Sequence, residues 1–247
     1  VETILARAIK SARKDLYDLE FLGQKVVVTA KVLSAQEAIG NPEEYDFPLL
    51  KGRERIVEAN FRGCLGHAFT DMYGGFTGSL QDILDMSSAN NYRRSLQVAT
   101  INAVCRFLGK TKNAVHCRDN EPKECAKRSV EFIRQQYPGV EKICFVGFQP
   151  ALVDAFSKEY ELKVLDLDAD NIGKQFFGQL ILDGKKDDER SLRWADLVLA
   201  TGSTIVNATI DRLVKIVGKD KVVFYGVTIA GPAAILGLNR LCFAKEQ

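Results

Sequence analysis

KICFVGFQPALVDAF, residues 142–156, runs from an apolar strand through Gly147 into a helix. Strand-to-helix junctions of this kind are where phosphate-binding folds hold their ligand. A dinucleotide fingerprint would read G-x-G-x-x-G there, whereas this chain has Gly147 followed by Phe148, Gln149 and Pro150. The pattern continues downstream. LKVLDL, DLVLATG and KVVFYG are short apolar runs, and PALVDAFSKEY and STIVNATIDRLVKIVG between them carry helical spacing. Strands divided by helices predict parallel strands joined by crossovers, an open α/β sheet of Rossmann-like type. The segment NIGKQFFGQLILDGKKDDER shows no clear period, and its GKKDDER half reads as a solvated loop.

The first half reads differently. Ile4, Leu5, Ala8, Ile9 and Ala12 recur at helical spacing, and KVVVTAKVLSA is a β-branched strand. GNPEEYDFP is a loop. ERIVEANFRG and GCLGHAFTDM alternate around Gly63 and Gly66 as two strands meeting at a hairpin, and MYGGFTGS breaks structure after them. Asn90 or Asn91 caps a helix carrying Leu96, Ala99, Ala103, Val104 and Phe107, with Gly109 at its end. Asp119 and Asn120 open another, EPKECAKRSVEFIRQQY, stopped by Pro138 and Gly139. The change of pattern there divides the chain into an α+β domain, 1–138, and a Rossmann-like domain, 139–247.

At 247 residues and 46% hydrophobic content, the chain can bury two ordinary cores. Its 34 Lys and Arg are interspersed with 32 Asp and Glu, so no basic stripe argues for nucleic acid. No apolar run approaches the roughly 18 residues that would argue for a membrane span, and the opening VETILARAIKSARKD is an amphipathic helix rather than a signal peptide. A soluble, cytoplasmic protein is expected, without a membrane or nucleic-acid partner. Six cysteines are scattered through apparent strands and helices, as free thiols in a reducing compartment would be. Cys105 and Cys144 fall where cysteine acts as a small core hydrophobe.

In an open α/β sheet, ligands bind beyond the carboxyl ends of the strands. Those ends here supply Gly147 and Gln149; Asp166, Asp168 and Asn171; Thr201, Gly202, Ser203 and Thr204, with Asn207 a turn further on; and Gly226 and Thr228. If TGST begins a helix, it offers backbone N–H groups, hydroxyls and the positive end of a dipole to a phosphate or carboxylate. Equally, Ser203 or Thr204 is only the cap that any helix needs. Asp166 and Asp168 follow Gly147 by 19 and 21 residues, near the spacing of about 20 at which an acid meets a nucleotide ribose. An acidic turn in water is the plainer reading. A calcium loop is excluded, since Asn171 stands where glycine is needed and Phe177 where the bidentate glutamate is needed. From the first domain, Thr70 and Asp71 follow a strand, and Arg93 with Arg94 sits beside a helix start within reach of an anion on the second domain. A solvated charged turn accounts for the arginines as well.

Cys64 with His67, and His116 with Cys117 and the later Cys125, include both histidines of the chain. Thiolates and imidazoles suit zinc or a similar cation, but no C-x-x-C unit repeats and the pairs would have to meet in space. Packing residues are the alternative. Cys117 with His67 or His116 could form a nucleophile pair, and no G-x-S-x-G elbow supports serine hydrolysis.

FRGCLGHAFTD, NNYRRSLQVATINAVCRFLG, CRDNEPKECA, VGFQPALVDAF, LDLDADNIG, ATGSTIVNATID and FYGVTIAGPAAILGLNRLC together resemble a prokaryotic family of unknown function labelled "putative heavy-metal chelation". The resemblance covers nearly the whole chain. It implies a domain like the enolase N-terminal domain, then a Rossmann-like domain, with a cleft between them. The expected function is heavy-metal chelation or a chelator-related role, with a small anionic or heterocyclic molecule, or a metal ion with it, in that cleft. The alternative is an enzyme using an adenosyl cofactor, NAD or S-adenosylmethionine, with Asp166 or Asp168 on the ribose. A third reading is direct metal sequestration through Cys64, His67, His116 and Cys117. The ligand, the cofactor, any reaction and homo-oligomerisation stay open at this level.

Overall fold

The computed structural model describes residues 2–22, 27–33, 55–117 and 121–243. GNPEEYDFP and the pair Asp119 and Asn120 lie outside them. Helix α1 (Ile4–Asp18) starts where the Thr3 hydroxyl accepts the Ala6 N–H, and it buries Ile4, Leu5, Ala8, Ala12 and Leu16 along one face. Strands β1 (Val27–Leu33), β2 (Arg55–Phe61), β3 (Cys64–Thr70) and β4 (Phe76–Ser79) form an antiparallel sheet in the order β3-β2-β1-β4. The β2–β3 hairpin is the predicted one. Arg62 and Gly63 both have positive φ, as a two-residue turn of matching twist requires, and Phe61 pairs with Cys64. Phe76–Ser79 lies in the stretch expected to break structure, yet it pairs with β1, because a four-residue strand carries too few positions to show alternation.

Helix α2 (Leu80–Asp85) follows, closed by a reciprocal Ser79–Asp82 capping box. Helix α3 (Asn91–Phe107), capped by Asn90, lies across β2 and β3. Every residue from Ser95 to Cys105 is buried, so this helix is enclosed on all sides rather than along one stripe. Gly66 makes the close approach to β3 possible: a Cβ there would stand 2.3 Å from the Ala103 nitrogen and 2.4 Å from the Ala99 oxygen.

The second sheet has the order β11-β10-β9-β5-β6-β8-β7. Its strands are β5 (Lys142–Val146), β6 (Glu161–Asp166), β7 (Gln175–Phe176), β8 (Gln179–Asp183), β9 (Leu197–Thr201), β10 (Val222–Tyr225) and β11 (Arg240–Leu241), parallel throughout except for the β7–β8 hairpin. Helices α4 (Glu121–Gln136), α5 (Pro150–Phe156), α6 (Asp188–Trp194), α7 (Ile210–Val217) and α8 (Ala230–Leu236) complete it. The expected open parallel sheet is present. One expectation fails in detail, since α6 begins inside the GKKDDER segment read as a loop, and the stretch before it, which shows no clear period, folds as the β7–β8 hairpin.

Alternate residues along the parallel strands enter two cores. Phe145, Val164, Leu199 and Tyr225 face Val130 and Ile133 of α4 and Leu152, Val153 and Phe156 of α5. Cys144, Leu165, Val198 and Phe224 face the opposite way, into a core that also holds Leu5 of α1, Leu96 and Ile101 of α3, and Ala233 of α8. Helix α4 therefore packs on the C-terminal sheet, and the N-terminal unit covers that sheet's other face.

Asn102 joins the halves. Its side-chain amide is wholly buried; Nδ2 donates to the carbonyls of His67 (2.8 Å), Thr228 (2.9 Å) and Val227 (3.2 Å), and Oδ1 accepts the Gly231 N–H at 2.6 Å. Gly231 lets α8 come this close, since a Cβ on it would meet the Ile101 oxygen at 2.9 Å. Replacing Asn102 by leucine strands three acceptors and a donor, each costing about 1–3 kcal/mol when buried and unmade. We expect Asn102→Leu to lower unfolding free energy in urea by at least about 3 kcal/mol. A loss below about 1 kcal/mol would show that the bracket is not what joins the two units.

Candidate functional site at the sheet crest

Strand order reverses between β5 and β9, whose partners β6 and β10 lead outward in opposite directions. This switch point is where a ligand crevice is expected. Gly147 and Thr201 end the two strands. At Gly147, φ is +98°, and a Cβ would come within 2.7 Å of the Thr201 methyl and 3.0 Å of the Tyr225 hydroxyl. Tyr225 donates from that hydroxyl to the Gly147 carbonyl at 2.8 Å. The switch point is thus packed by protein at this level.

The first turn spends its donors internally. Gly147 N–H bonds the Leu165 carbonyl at 2.8 Å, and Gln149 caps α5 by accepting the Leu152 N–H. Asp166 Oδ2 accepts the Phe148 N–H at 2.9 Å, its Oδ1 accepts the Asp168 N–H at 2.8 Å, and Asn171 donates to Oδ2 at 3.4 Å. Asp168 in turn accepts from the Asp170 N–H. Asp166 thus clamps the loop after β5 to the loop after β6 in the very place where an acid would meet a ribose.

TGST does not begin an α-helix. Gly202–Ile205 is a 3-10 turn, and α7 starts only at Ile210. The interruption is local: Ala208 has φ +62°, and Asn207 accepts from both the N–H and the hydroxyl of Thr209. Thr201 accepts the Ser203 N–H, while Thr204 is buried with its hydroxyl on the Thr201 carbonyl at 2.8 Å. Gly202 is a packing glycine, since a Cβ there would stand 2.8 Å from the Ile229 nitrogen. Gly226 offers its carbonyl to Arg240. Thr201, Ser203 and Asn207 are half-buried at the crest.

The N-terminal unit reaches the crest through the end of β3. Phe69 N–H donates to the buried Thr228 hydroxyl at 3.1 Å, and the buried Thr70 hydroxyl closes a turn onto Met72. Asp71 accepts from Asn91 at 2.6 Å; Asn91 accepts from Arg94, and Arg94 Nε donates to the Val206 carbonyl beside Asn207. Arg94, not Arg93, is therefore the arginine that spans the two units. Burial lowers its pKa, with Asp71 opposing. Arg93 is exposed and lines a separate groove with Phe76, Asp82, Asp85 and Met86. Sequence pattern alone also passed over Asn102, although an asparagine amid VATINAVCRF was the available signal.

The histidine–cysteine constellation does not assemble. His67 is buried; its Nδ1 accepts the His116 backbone N–H at 3.1 Å and its Nε2 faces Glu58 at 3.1 Å, so both ring nitrogens are engaged within the protein. Among the described residues, no group of three or more His, Cys, Asp and Glu side chains is placed to hold a metal ion. Cys105 and Cys144 are buried as the pattern predicted, and burial pushes both thiols up to about 12. No helix among the described residues is long and apolar enough to cross a membrane.

Burial raises the Asp166 pKa above the ordinary carboxylate value, against the lowering effect of its N–H donors. The folded chain therefore holds this proton more tightly than the unfolded chain does. The contribution is fully present below the unfolded pKa, where both states are protonated, and is lost as pH rises from there through the folded value. Asp166→Asn cannot ionise. We expect stability curves of the two proteins between pH 3 and 7 to differ in slope on the alkaline side of the normal Asp range, only the wild type declining there from this source. Parallel curves would mean that Asp166 titrates like a solvated acid.

Comparison with known proteins adds the following. Residues 131–236 match the model of the DUF364 family, described as "Putative heavy-metal chelation". A DUF364 protein of unknown function from Pyrococcus horikoshii has a similar structure, at 20% identity and a TM-score of 0.56, covering 92% of this chain and 80% of that one. Another of unknown function, from Desulfitobacterium hafniense DCB-2, is similar at 16% identity and a TM-score of 0.52, covering 74% and 72%. No curated protein matches the sequence. The resemblance seen in the sequence is borne out: residues 131–236 match DUF364, and the two solved structures just described come from that family.

Proposed function

We propose that this chain binds a compact, hydrogen-bonding small molecule, an oxyanion or a polar heterocycle, at the rim where the turn after β9 faces the end of β3. One observation carries the reading: the Phe69 N–H to Thr228 hydroxyl bond sets the N-terminal unit directly on the carboxyl ends of the parallel strands. Domain junctions over a switch point are the preferred positions of small-molecule sites. The rim groups are hydroxyls and amides, from Thr201, Ser203, Asn207 and Asn91, with Asp71 and Arg94 of opposite charge linked through Asn91. Such a lining selects by hydrogen-bond pattern rather than by net charge. The adenosyl alternative gains nothing from Asp166, whose oxygens bind the protein's own loops. Asp168 is the acid left for it.

A thermal-shift panel of phosphate, small carboxylates, polar heterocycles, NAD and S-adenosylmethionine tests the proposal. At least one non-adenosyl compound should raise Tm, and Ser203→Ala should abolish the rise while leaving the ligand-free Tm within about 2 °C. Gly202 is unsuitable for this purpose because any side chain there disturbs Ile229. A shift that survives both Ser203→Ala and Asn207→Ala, or no shift with any compound, would remove the site.

A further inference from the structure

A second locus lies on helix α1 of the N-terminal unit. This helix buries Ile4, Leu5, Ala8, Ala12 and Leu16. At about 100° per residue, the side chains opposite that face are Lys10, Lys14 and Tyr17, with Arg13 on their flank. Beside them runs a groove of about 510 Å³, lined by Lys10, Arg13, Lys14 and Tyr17, by Leu22 just after the helix, and by Gln81 of α2. Three of these six residues are cations and none is a carboxylate. The Tyr17 ring, Leu22 and the aliphatic stems of the lysines supply an apolar trough beneath the charged heads.

The fold makes little use of this surface. Arg13 donates to Asp85 at the end of α2, and Asp15, the acid within the helix, faces Lys110 of the turn after α3 at 2.6 Å. Asp18 and Glu20 lie past Tyr17 and do not line the groove. Lys10 and Lys14 are exposed, and their charges face the trough with no acid in it. Tyr17 is 74% exposed and Leu19 beside it 49%, so the apolar end of the row stands in water, as side chains at a contact surface do. The chain as a whole is nearly neutral, with 34 basic against 32 acidic residues, which makes the row a local feature rather than part of a general field. From Lys10 to Tyr17 it spans about 10 Å of helix. That is too short a track for a nucleic-acid backbone, which needs several phosphate contacts in succession. It suits a short stretch of polypeptide.

We propose that this groove docks a short acidic peptide segment of another protein, which sets an aromatic or leucyl side chain between Tyr17 and Leu22 and carboxylates against Lys10 and Lys14. Charge complementarity carries the choice of partner: three cations on the rim select acids, and the trough selects an apolar anchor among them. Both features are needed, because an exposed ion pair alone contributes little. A contact of this size is weak and exchanging, and salt loosens it by screening the rim. The inference is independent of the crest ligand and rests on different residues.

The test uses the whole protein and a fluorescein-labelled peptide of about ten residues in which glutamates flank a central Tyr-Leu pair, read by anisotropy. The peptide should bind, and versions with glutamine for glutamate or alanine for the central pair should bind at least about tenfold and about threefold more weakly. Lys10→Glu/Lys14→Glu should weaken binding at least about tenfold, and Tyr17→Ala about threefold or more. Lys127→Glu, the same reversal at an exposed position of α4, should bind as the wild type does. All these positions are exposed, so the variants keep the fold, and unchanged Tm checks that they do. No binding of the acidic peptide, equal binding by Lys10→Glu/Lys14→Glu, or an all-glutamate peptide binding as tightly as the anchored one would overturn the proposal. Phosphatidylserine vesicles or single-stranded DNA held through Lys10 and Lys14 in preference to the peptide would overturn it in favour of a membrane or nucleic acid. Self-association in sedimentation that Lys10→Glu/Lys14→Glu removes would give the groove to a second copy instead.

Discussion

The open edge of β3 governs how this molecule is put together. An edge strand presents unpaired N–H and C=O groups, and a buried one must find partners for all of them. Here they come from outside the sheet: Ala114 O accepts the His67 N–H, Asn102 Nδ2 donates to the His67 carbonyl, and the Thr228 hydroxyl accepts the Phe69 N–H. Two of those three links involve the loop after β10, since Asn102 also holds the Val227 and Thr228 carbonyls. The N-terminal sheet is completed by the C-terminal one. Gly66 and Gly231 provide the clearance on either side of α3 that lets this happen.

The same economy shapes the crest. Donors that a nucleotide-binding turn would turn toward phosphate are consumed by Leu165, Gln149 and Asp166. What stays at the rim is a set of neutral hydrogen-bonding groups on two units held in fixed register by Arg94 and Thr228. Chemistry at such a rim would depend on what the ligand brings with it. The missing glycines after Gly147 and the inward Asp166 are two aspects of one arrangement, in which the loop binds its neighbour.

Much of this was legible in the chain. Apolar runs such as ICFV and LVLA carry the parallel sheet because both their faces are buried, and Asn90 and Gly109 mark the ends of α3 by cap chemistry. Legibility failed where elements were short or contacts distant. The strands β4, β7 and β11 have four, two and two residues, too few to show a period. The apolar spacing of IVNATIDRLVKIV suggested one continuous helix, and the break depends on Asn207 folding its side chain back onto Thr209 while Ala208 takes a left-handed conformation. No local pattern could have brought Asn102 to the Val227 and Thr228 carbonyls, because tertiary packing alone makes them neighbours.

The continuous apolar core has a dynamic corollary. Proteins that trap ligands by clamshell motion need an interface able to part cheaply, and here Leu5, Leu96, Val198, Phe224 and Ala233 belong to one unbroken interior. Swinging one half away from the other would expose that interior to water. A ligand for the proposed rim would instead depend on excursions of individual surface turns, such as the segment around Ala208.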